Sequence, residues 1–444
     1  MKLICSCLLA TAAMASDPGA VGGPLDLSLK RAVALAISPE GSARIQISEE
    51  SLKQAQSQSV QARAALLPDV EGSLTDESRT ENLAALGLTN IKLPFPGFAF
   101  PTFVGPFSTT DARLTGSQTV FDFSSIRRFQ AAKVGVSAAR ADNDTTAEQV
   151  AAQVAMAYLA AVKADTDVET AQSNVTLSEA VERQAEIQKS AGTGTGIEIT
   201  RAKVQLANDQ QRLLVAQNAR RAAHLQLLRA MNMRLDTEIN LTDRLAYVPV
   251  DAVTIEQAKA QALKERPDLK AQRERETNAR LSASATKMER LPSVQAFGDY
   301  GAIGTGLDSS LPTRTVGISL KVPIFDGGRR DARREQAASQ YRAERVRSND
   351  LQEEIELDVR LALDALHSAD DQVKVARDGL ELSQNELTQA RRRYDAGVAI
   401  SLEVTDAQTR LERARDNQTE ALYNYNVARI QLAQAMGRVR AVVQ

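Results

Sequence analysis

Few side chains in this sequence stand at spacings that do chemistry. The two histidines, His224 and His367, lie far apart inside helical patterns, and neither has a second histidine or a cysteine at metal-ligand spacing. The run Gly192-Thr-Gly-Thr-Gly196 falls between two helical patterns, so it lacks the strand–loop–helix setting that cradles phosphate. Neighbouring carboxylates such as Glu353-Glu354 and Asp370-Asp371 sit in highly charged helical sequence, where a solvated face is the ordinary reading. Glu403 and Asp406, three residues apart, share one helix face. None of these patterns is a catalytic centre, and the expectation is a non-enzymatic chain with no cofactor and no metal.

The elements that must carry these residues are unusual. Val316, Ile318, Leu320 and Val322 alternate with Thr315, Gly317, Ser319 and Lys321, the period of a strand with one apolar face. Pro323, Phe325, Asp326, Gly327 and Gly328 follow, and then a charged tract runs to Gln444 without another proline. Within that tract Val359, Ala362, Leu366, Ala369, Val373, Ala376, Leu380, Leu387, Ala390 and Tyr394 recur by threes and fours. This is the 3.5-residue period of coiled-coil packing, and its many alanines allow close helix approach. A helix from 329 to 394 would be about 100 Å long at ~1.5 Å per residue.

The pattern occurs twice. "LLPDV" at 66–70 recurs as "RLPSV" at 290–294, and Phe121-Asp122 recurs as Phe325-Asp326. "AGTGTGIEITRAKVQL" at 191–206 recurs as "AGVAISLEVTDAQTRL" at 396–411. The division expected is a first repeat over 16–233, a linking segment 234–253 of irregular structure, and a second repeat over 254–444. Strands are expected near 69–78, 112–123, 292–301 and 314–325, and helices near 124–190, 197–233, 329–394 and 401–437. The first repeat carries about 20 extra residues between its strands. They include "LPFPGFAFPTFVGPF" (93–107), whose Pro94, Pro96, Pro101 and Pro106 argue for a long loop without regular structure. Such a loop either folds onto the protein's own surface or meets a membrane.

Composition narrows the class. A formal net charge of −2 leaves no basic footprint for nucleic acid, and 4% aromatic content without tryptophan is poor for a conventional core. Residues 1–15 read as a secretory signal: Lys2, an apolar run, and Ala13-Met14-Ala15 as the cleavage motif. Both cysteines, Cys5 and Cys7, lie inside it, so the exported chain would have no thiol. No later stretch approaches the ~20 apolar residues of a membrane helix, whereas strands of ~9–11 residues suffice for a barrel. Four strands cannot close around water, and open edges are forbidden in lipid, so several copies must combine. Three would supply twelve strands and twelve long helix segments.

With "LLPDV", "RLPSV", "VPIFDGGRR", "RYDAGVAISLEVTDAQTRL" and "QLAQAMG" in constant order, the mature chain resembles the outer-membrane efflux protein family, the TolC-like trimeric channels. The fold class expected is mainly α with a small β part. Long antiparallel coiled-coil helices form an α-barrel tunnel, and four strands per protomer enter a 12-stranded trimeric transmembrane β-barrel. The resemblance implies a homotrimer in outer-membrane lipid, with its tunnel in the periplasm of a Gram-negative-type bacterium. It also implies a periplasmic adaptor protein and an inner-membrane transporter as partners, and a passive exit duct as the function. Small-molecule efflux is the default cargo, with type I protein secretion and metal export as alternatives. A soluble periplasmic coiled-coil scaffold is the alternative of another class.

The family's periplasmic tip matches Tyr394, Glu403 and Asp406 here. Ala399 stands where the family's gate has a basic residue, so a lock would use another cation, with Arg201 in the first repeat's equivalent of Asp406. Threefold symmetry would turn Glu403 and Asp406 into carboxylate rings that favour cations. Alternatively, Tyr394 only packs and Asp406 pairs with Arg410. Gly192, Gly194, Gly196, Gly397, Val398 and Leu402 are the expected adaptor-docking tips. Pro323, Phe325, Asp326, Gly327, Gly328, Phe121 and Asp122 are the expected barrel-to-tunnel junctions.

Overall fold

Two helices of almost equal length dominate the molecule. The computed structural model describes residues 24–87, 101–250, 254–306 and 308–443. The signal at 1–15 and residues 93–100 of the Phe/Pro-rich stretch lie outside the described residues. Helix α3 spans Phe123–Ser190 and α7 spans Arg329–Asp395. Each turns back into a 35-residue partner, α4 (Gly196–Ala230) and α8 (Ser401–Ala435). Asp122 caps α3, its carboxylate accepting from the Ser124 amide at 2.9 Å. At the start of α7, Gly327 and Gly328 take the left-handed φ values of 67° and 83°. That conformation is cheap only for glycine.

The seam expected along α7 is buried at Val359, Ala362, Leu366, Ala369, Val373, Leu387 and Ala390 and half-buried at Ala376, Leu380 and Tyr394; on α3, Val150, Val154, Ala161 and Val175 are buried in the same way. Helix α3 is central: it packs on α4 and α8, on α2 (Ala43–Ala64), and on α6 (Pro267–Met288). Small side chains such as Ala151, Ala155 and Ala161, none of them accessible to solvent, let those neighbours close in.

Strands β2 (Asp69–Asn82), β3 (Phe103–Phe121), β5 (Ser293–Gly304) and β6 (Leu311–Lys321) form one antiparallel sheet in the order β2-β3-β5-β6. Register fixes two opposite faces. Val70, Leu74, Leu114, Tyr300, Val316, Ile318 and Leu320 share one, and Glu71, Thr75, Arg113, Thr115, Asp299, Thr315 and Ser319 share the other. The apolar face is left exposed, and among the described residues no helix covers it. The outer edges of β2 and β6 have no pairing partner among the described residues.

Several strand boundaries depart from the sequence reading: β2 runs on to Asn82, β5 to Gly304, and β6 begins at Leu311. The strand expected from about 112 begins at Phe103, so residues 103–107, including Pro106, are strand rather than irregular loop. The β2–β3 ladder breaks register between Arg79 and Glu81, opposite Gly105 and Pro106. A bulge there removes the need for the amide that proline lacks. The strand expected to reach 325 ends at Lys321, because Pro323 has no ladder donor. Within the linking segment, β4 (Ile239–Leu241) pairs in parallel with β1 (Leu25–Leu27), so that region contains regular structure rather than being wholly irregular.

Gly437 ends α8 with φ 71°, and a Cβ there would lie 2.8 Å from Arg266 Cα. Gly437→Ala is expected to destabilise each protomer by about 1 kcal/mol or more, since both the conformation and the contact oppose it. A lower thermal unfolding midpoint would register this.

Candidate functional site

The two helical turns lie at corresponding ends of the repeats. After α3, the Thr193 and Gly194 amides both donate to the Gln188 carbonyl at 3.0 Å, and Gly192 takes φ 76°. Thr195 and Glu198 then form a reciprocal capping box at the start of α4. After α7, the Val398 amide donates to the Arg393 carbonyl at 3.0 Å and Gly397 takes φ 74°. These paired bonds close a helix end in the way a left-handed glycine permits. The turns present Ile187, Ile197, Val398, Ile400 and Leu402 to solvent.

Among the gate candidates, the structure joins only some. The Tyr394 hydroxyl donates to Gln188 Oε1, tying α7 to α3. Its ring packs beside Leu387, Ala390, Val404 and Ala407. Burial pushes the Tyr394 hydroxyl up from its ordinary pKa, and the nearby Glu198 charge adds to this. Glu403 pairs across its own turn with Arg393, at 3.0 Å. Asp406 does not pair with Arg410, because Arg410 instead reaches Glu386 on α7. Asp406 and Arg201 are both exposed, and the structure brings neither to the other within one protomer. Gln188, Arg393 and Glu198 were not singled out from the sequence. The internal repeat carries a signal for the first two, since Gln188 and Arg393 occupy equivalent places three residues before Ala191 and Ala396.

Higher along the helices lies a polar seam that apolar periodicity does not reveal. Asp209 on α4 is buried and accepts from Ser178 on α3 and from Gln205. Arg212 reaches Glu412 of α8 at 2.7 Å and Asp209 at 3.6 Å, bridging two buried carboxylates. Glu412 Oε1 has no hydrogen-bond partner. Burial pushes the Glu412 carboxyl up, the Asp209 charge adds to this, and the Arg212 bond opposes both. Asp416 is pushed up by burial and by Asp167. A 450 Å³ cleft opens beside the seam, lined in part by Lys163, Asp167, Arg212 and Glu420.

At the other end, Asp326 accepts from the Arg330 amide at 3.0 Å, doing for α7 what Asp122 does for α3. Phe121 stacks edge-on against Phe123 with ring centres 4.3 Å apart, while Phe325 stands exposed beyond Pro323. On the polar face of the sheet, Arg113 pairs with Asp111 at 3.1 Å and with Asp299, and it reaches Thr313. His224 sits on α4, 3.0 Å from Asp165.

Two outcomes follow from this geometry. Tyr394→Phe and Gln188→Ala should each weaken the α3–α7 tie by about 1 kcal/mol, the worth of one hydrogen bond. The double variant should add little, as a double-mutant cycle on the thermal unfolding midpoint would read. For Glu412, the folded chain holds a proton more tightly than the unfolded chain. The ionisation penalty is therefore absent at acid pH and grows as pH rises through the raised folded value. Glu412→Gln is expected to raise the melting midpoint at neutral pH, with the gain vanishing on acidification.

The family model described as outer membrane efflux protein matches residues 39–233 and 259–438. The pyoverdine export outer membrane protein OpmQ of Pseudomonas putida is 25% identical over 411 residues, covering 87% of this chain and 81% of its own. The alkaline protease secretion protein AprF of Pseudomonas aeruginosa is 23% identical, covering 71% of this chain and 67% of its own. Among solved structures, the Campylobacter jejuni CmeC outer membrane channel superposes with TM-score 0.78 at 17% identity, covering 92% of this chain and 85% of that one. The open state of the Neisseria gonorrhoeae MtrE channel gives 0.77 at 19%, covering 92% and 89%. Matched along most of both repeats, the chain belongs to the outer membrane efflux protein family.

Proposed function

We propose that three copies of this chain form a passive exit duct through the outer membrane, fed by an inner-membrane pump through a periplasmic adaptor. The observation that carries this reading is the sheet. One face is apolar and exposed, the other polar, and both edges are unpaired among the described residues. In lipid every backbone amide must find a partner, so β6 of one copy pairs with β2 of the next. Three copies close a twelve-stranded barrel with the polar face around water. The exposed apolar residues of α2 and α4, among them Ile47, Val60, Val204 and Leu214, are then covered by neighbouring helices. A soluble scaffold has no use for an uncovered apolar sheet.

The helical turns form the periplasmic tip. Gly192, Gly194, Gly196, Gly397, Val398 and Leu402 make the adaptor-docking surface, supported by the exposed apolar side chains there. The Tyr394–Gln188 bond holds α7 and α8 against α3, and a ring of three Asp406 carboxylates sets the charge of the constriction. Arg201, also exposed, is the cation available to a neighbouring copy. Glu403, held by Arg393, contributes less to that field. The gate thus differs from the sequence expectation of an equal Glu403 and Asp406 pair. Small molecules are the cargo favoured, and a relative named for pyoverdine export supports that class. The relative named for alkaline protease secretion supports protein export as the second reading. The duct itself performs no catalysis.

Planar-bilayer recording tests this. The purified protein should conduct and prefer cations. Asp406→Asn should reduce that preference more than Glu403→Gln does. Absence of conductance contradicts the duct, and unchanged selectivity in Asp406→Asn removes that residue from the constriction.

A further inference from the structure

The geometry points to a binding belt for anionic phospholipid headgroups at the junction of sheet and helices, an inference that rests on the membrane-duct reading above. Four segments cross that level: 62–68, 122–133, 285–292 and 322–335. Together they carry ten basic and five acidic side chains, within a chain whose formal net charge is −2. Most of the acids are already engaged. Glu289 holds Arg128 and Arg333, Asp331 holds Arg290, and Asp326 lies 3.6 Å from Arg330. Asp122 caps α3. Among the described residues, no carboxylate lies within ion-pair distance of Arg127, Arg329 or Arg334.

Apolar surface continues onto this cationic cluster from the membrane side. Val322 and Ile324 extend the register of Val316, Ile318 and Leu320 beyond the end of β6. Ile324 is 94% exposed and Phe325 is 87% exposed. Gly327 and Gly328 then turn the chain directly into Arg329 and Arg330. Exposed aliphatic side chains beside guanidinium groups that lack a carboxylate partner suit one occupant, although Arg127 also donates to Gln130 at 2.9 Å. Acyl chains lie along Val322 and Ile324, and the phosphate takes guanidinium hydrogen bonds from the arginines. The partner is the periplasmic leaflet's anionic phospholipid, of the phosphatidylglycerol class. Lipid of that charge gathers at clustered Lys and Arg within a Debye length of the surface.

The full-length protein, reconstituted in liposomes of equal phosphatidylcholine and phosphatidylglycerol, is excised with its surrounding lipid in copolymer discs, and the lipids are counted by mass spectrometry. Wild type is expected to hold phosphatidylglycerol enriched about twofold over the bulk. Arg127→Gln, Arg329→Gln and Arg334→Gln combined should return the ratio to bulk. The same three positions changed to Lys should keep most of the enrichment. If the triple Gln variant fails to insert, the three single variants give the same reading in smaller steps. A conducting wild type without enrichment overturns the belt and leaves the duct standing, as does enrichment undiminished by the Gln substitutions. A wild type that neither inserts nor conducts overturns both.

Discussion

Everything in this molecule follows from four strands that cannot satisfy themselves. A backbone amide or carbonyl without a partner costs several kcal/mol in hydrocarbon. Among the described residues, the sheet β2-β3-β5-β6 leaves one full row of such groups on each outer edge and has no helix over its apolar face. Its polar face carries Arg113, Asp111 and Asp299 in an ion-pair cluster. A single chain can neither shield these edges nor fill the space inside the curve they imply. Closure through further copies resolves both problems at once, because it pairs the edges and puts the polar face around water.

The helices inherit their geometry from that closure. A barrel drawn from several copies hands each strand pair over to helices at a fixed level, and Asp122 and Asp326 mark that level by accepting first-turn amides of α3 and α7. From there the helices run about 100 Å on ~1.5 Å per residue, held together chiefly by alanine and valine. Small side chains permit close approach but supply little directional specificity. The polar seam of Ser178, Asp209, Arg212 and Glu412 adds what the alanines lack. Its members come from α3, α4 and α8, so sliding any one helix strands a buried charge. At the helical turns, the Tyr394 hydroxyl and the Gln188 side-chain oxygen join α7 to α3 in the same way, with less burial.

The fold class was legible because its signals are periodic. A 3.5-residue apolar recurrence over the 36 residues from Val359 to Tyr394 has few competing readings, and alternation from Thr315 to Val322 identifies a half-apolar strand without help from neighbours. Local rules misled where tertiary pairing supplied an exception: Pro106 sits in β3 because a bulge opposite Arg79 and Glu81 relieves it of a donor. The candidate site was legible in part. Repeat symmetry located the glycine turns, while the alternative pairing of Asp406 with Arg410 does not form, since Arg410 turns toward Glu386 on the facing helix. The Asp209–Glu412 seam was invisible because its residues lie about two hundred positions apart and look like ordinary surface charge in an amphipathic pattern.

Imaging the protein extracted from outer membrane in detergent tests the closure of the sheet most directly. The account predicts a threefold end view, with a compact barrel capping a tapered helical tunnel about 130–140 Å long overall, from ~100 Å helices plus a membrane-depth barrel. A rod released without detergent, carrying one copy of the chain and no barrel cap, would contradict it.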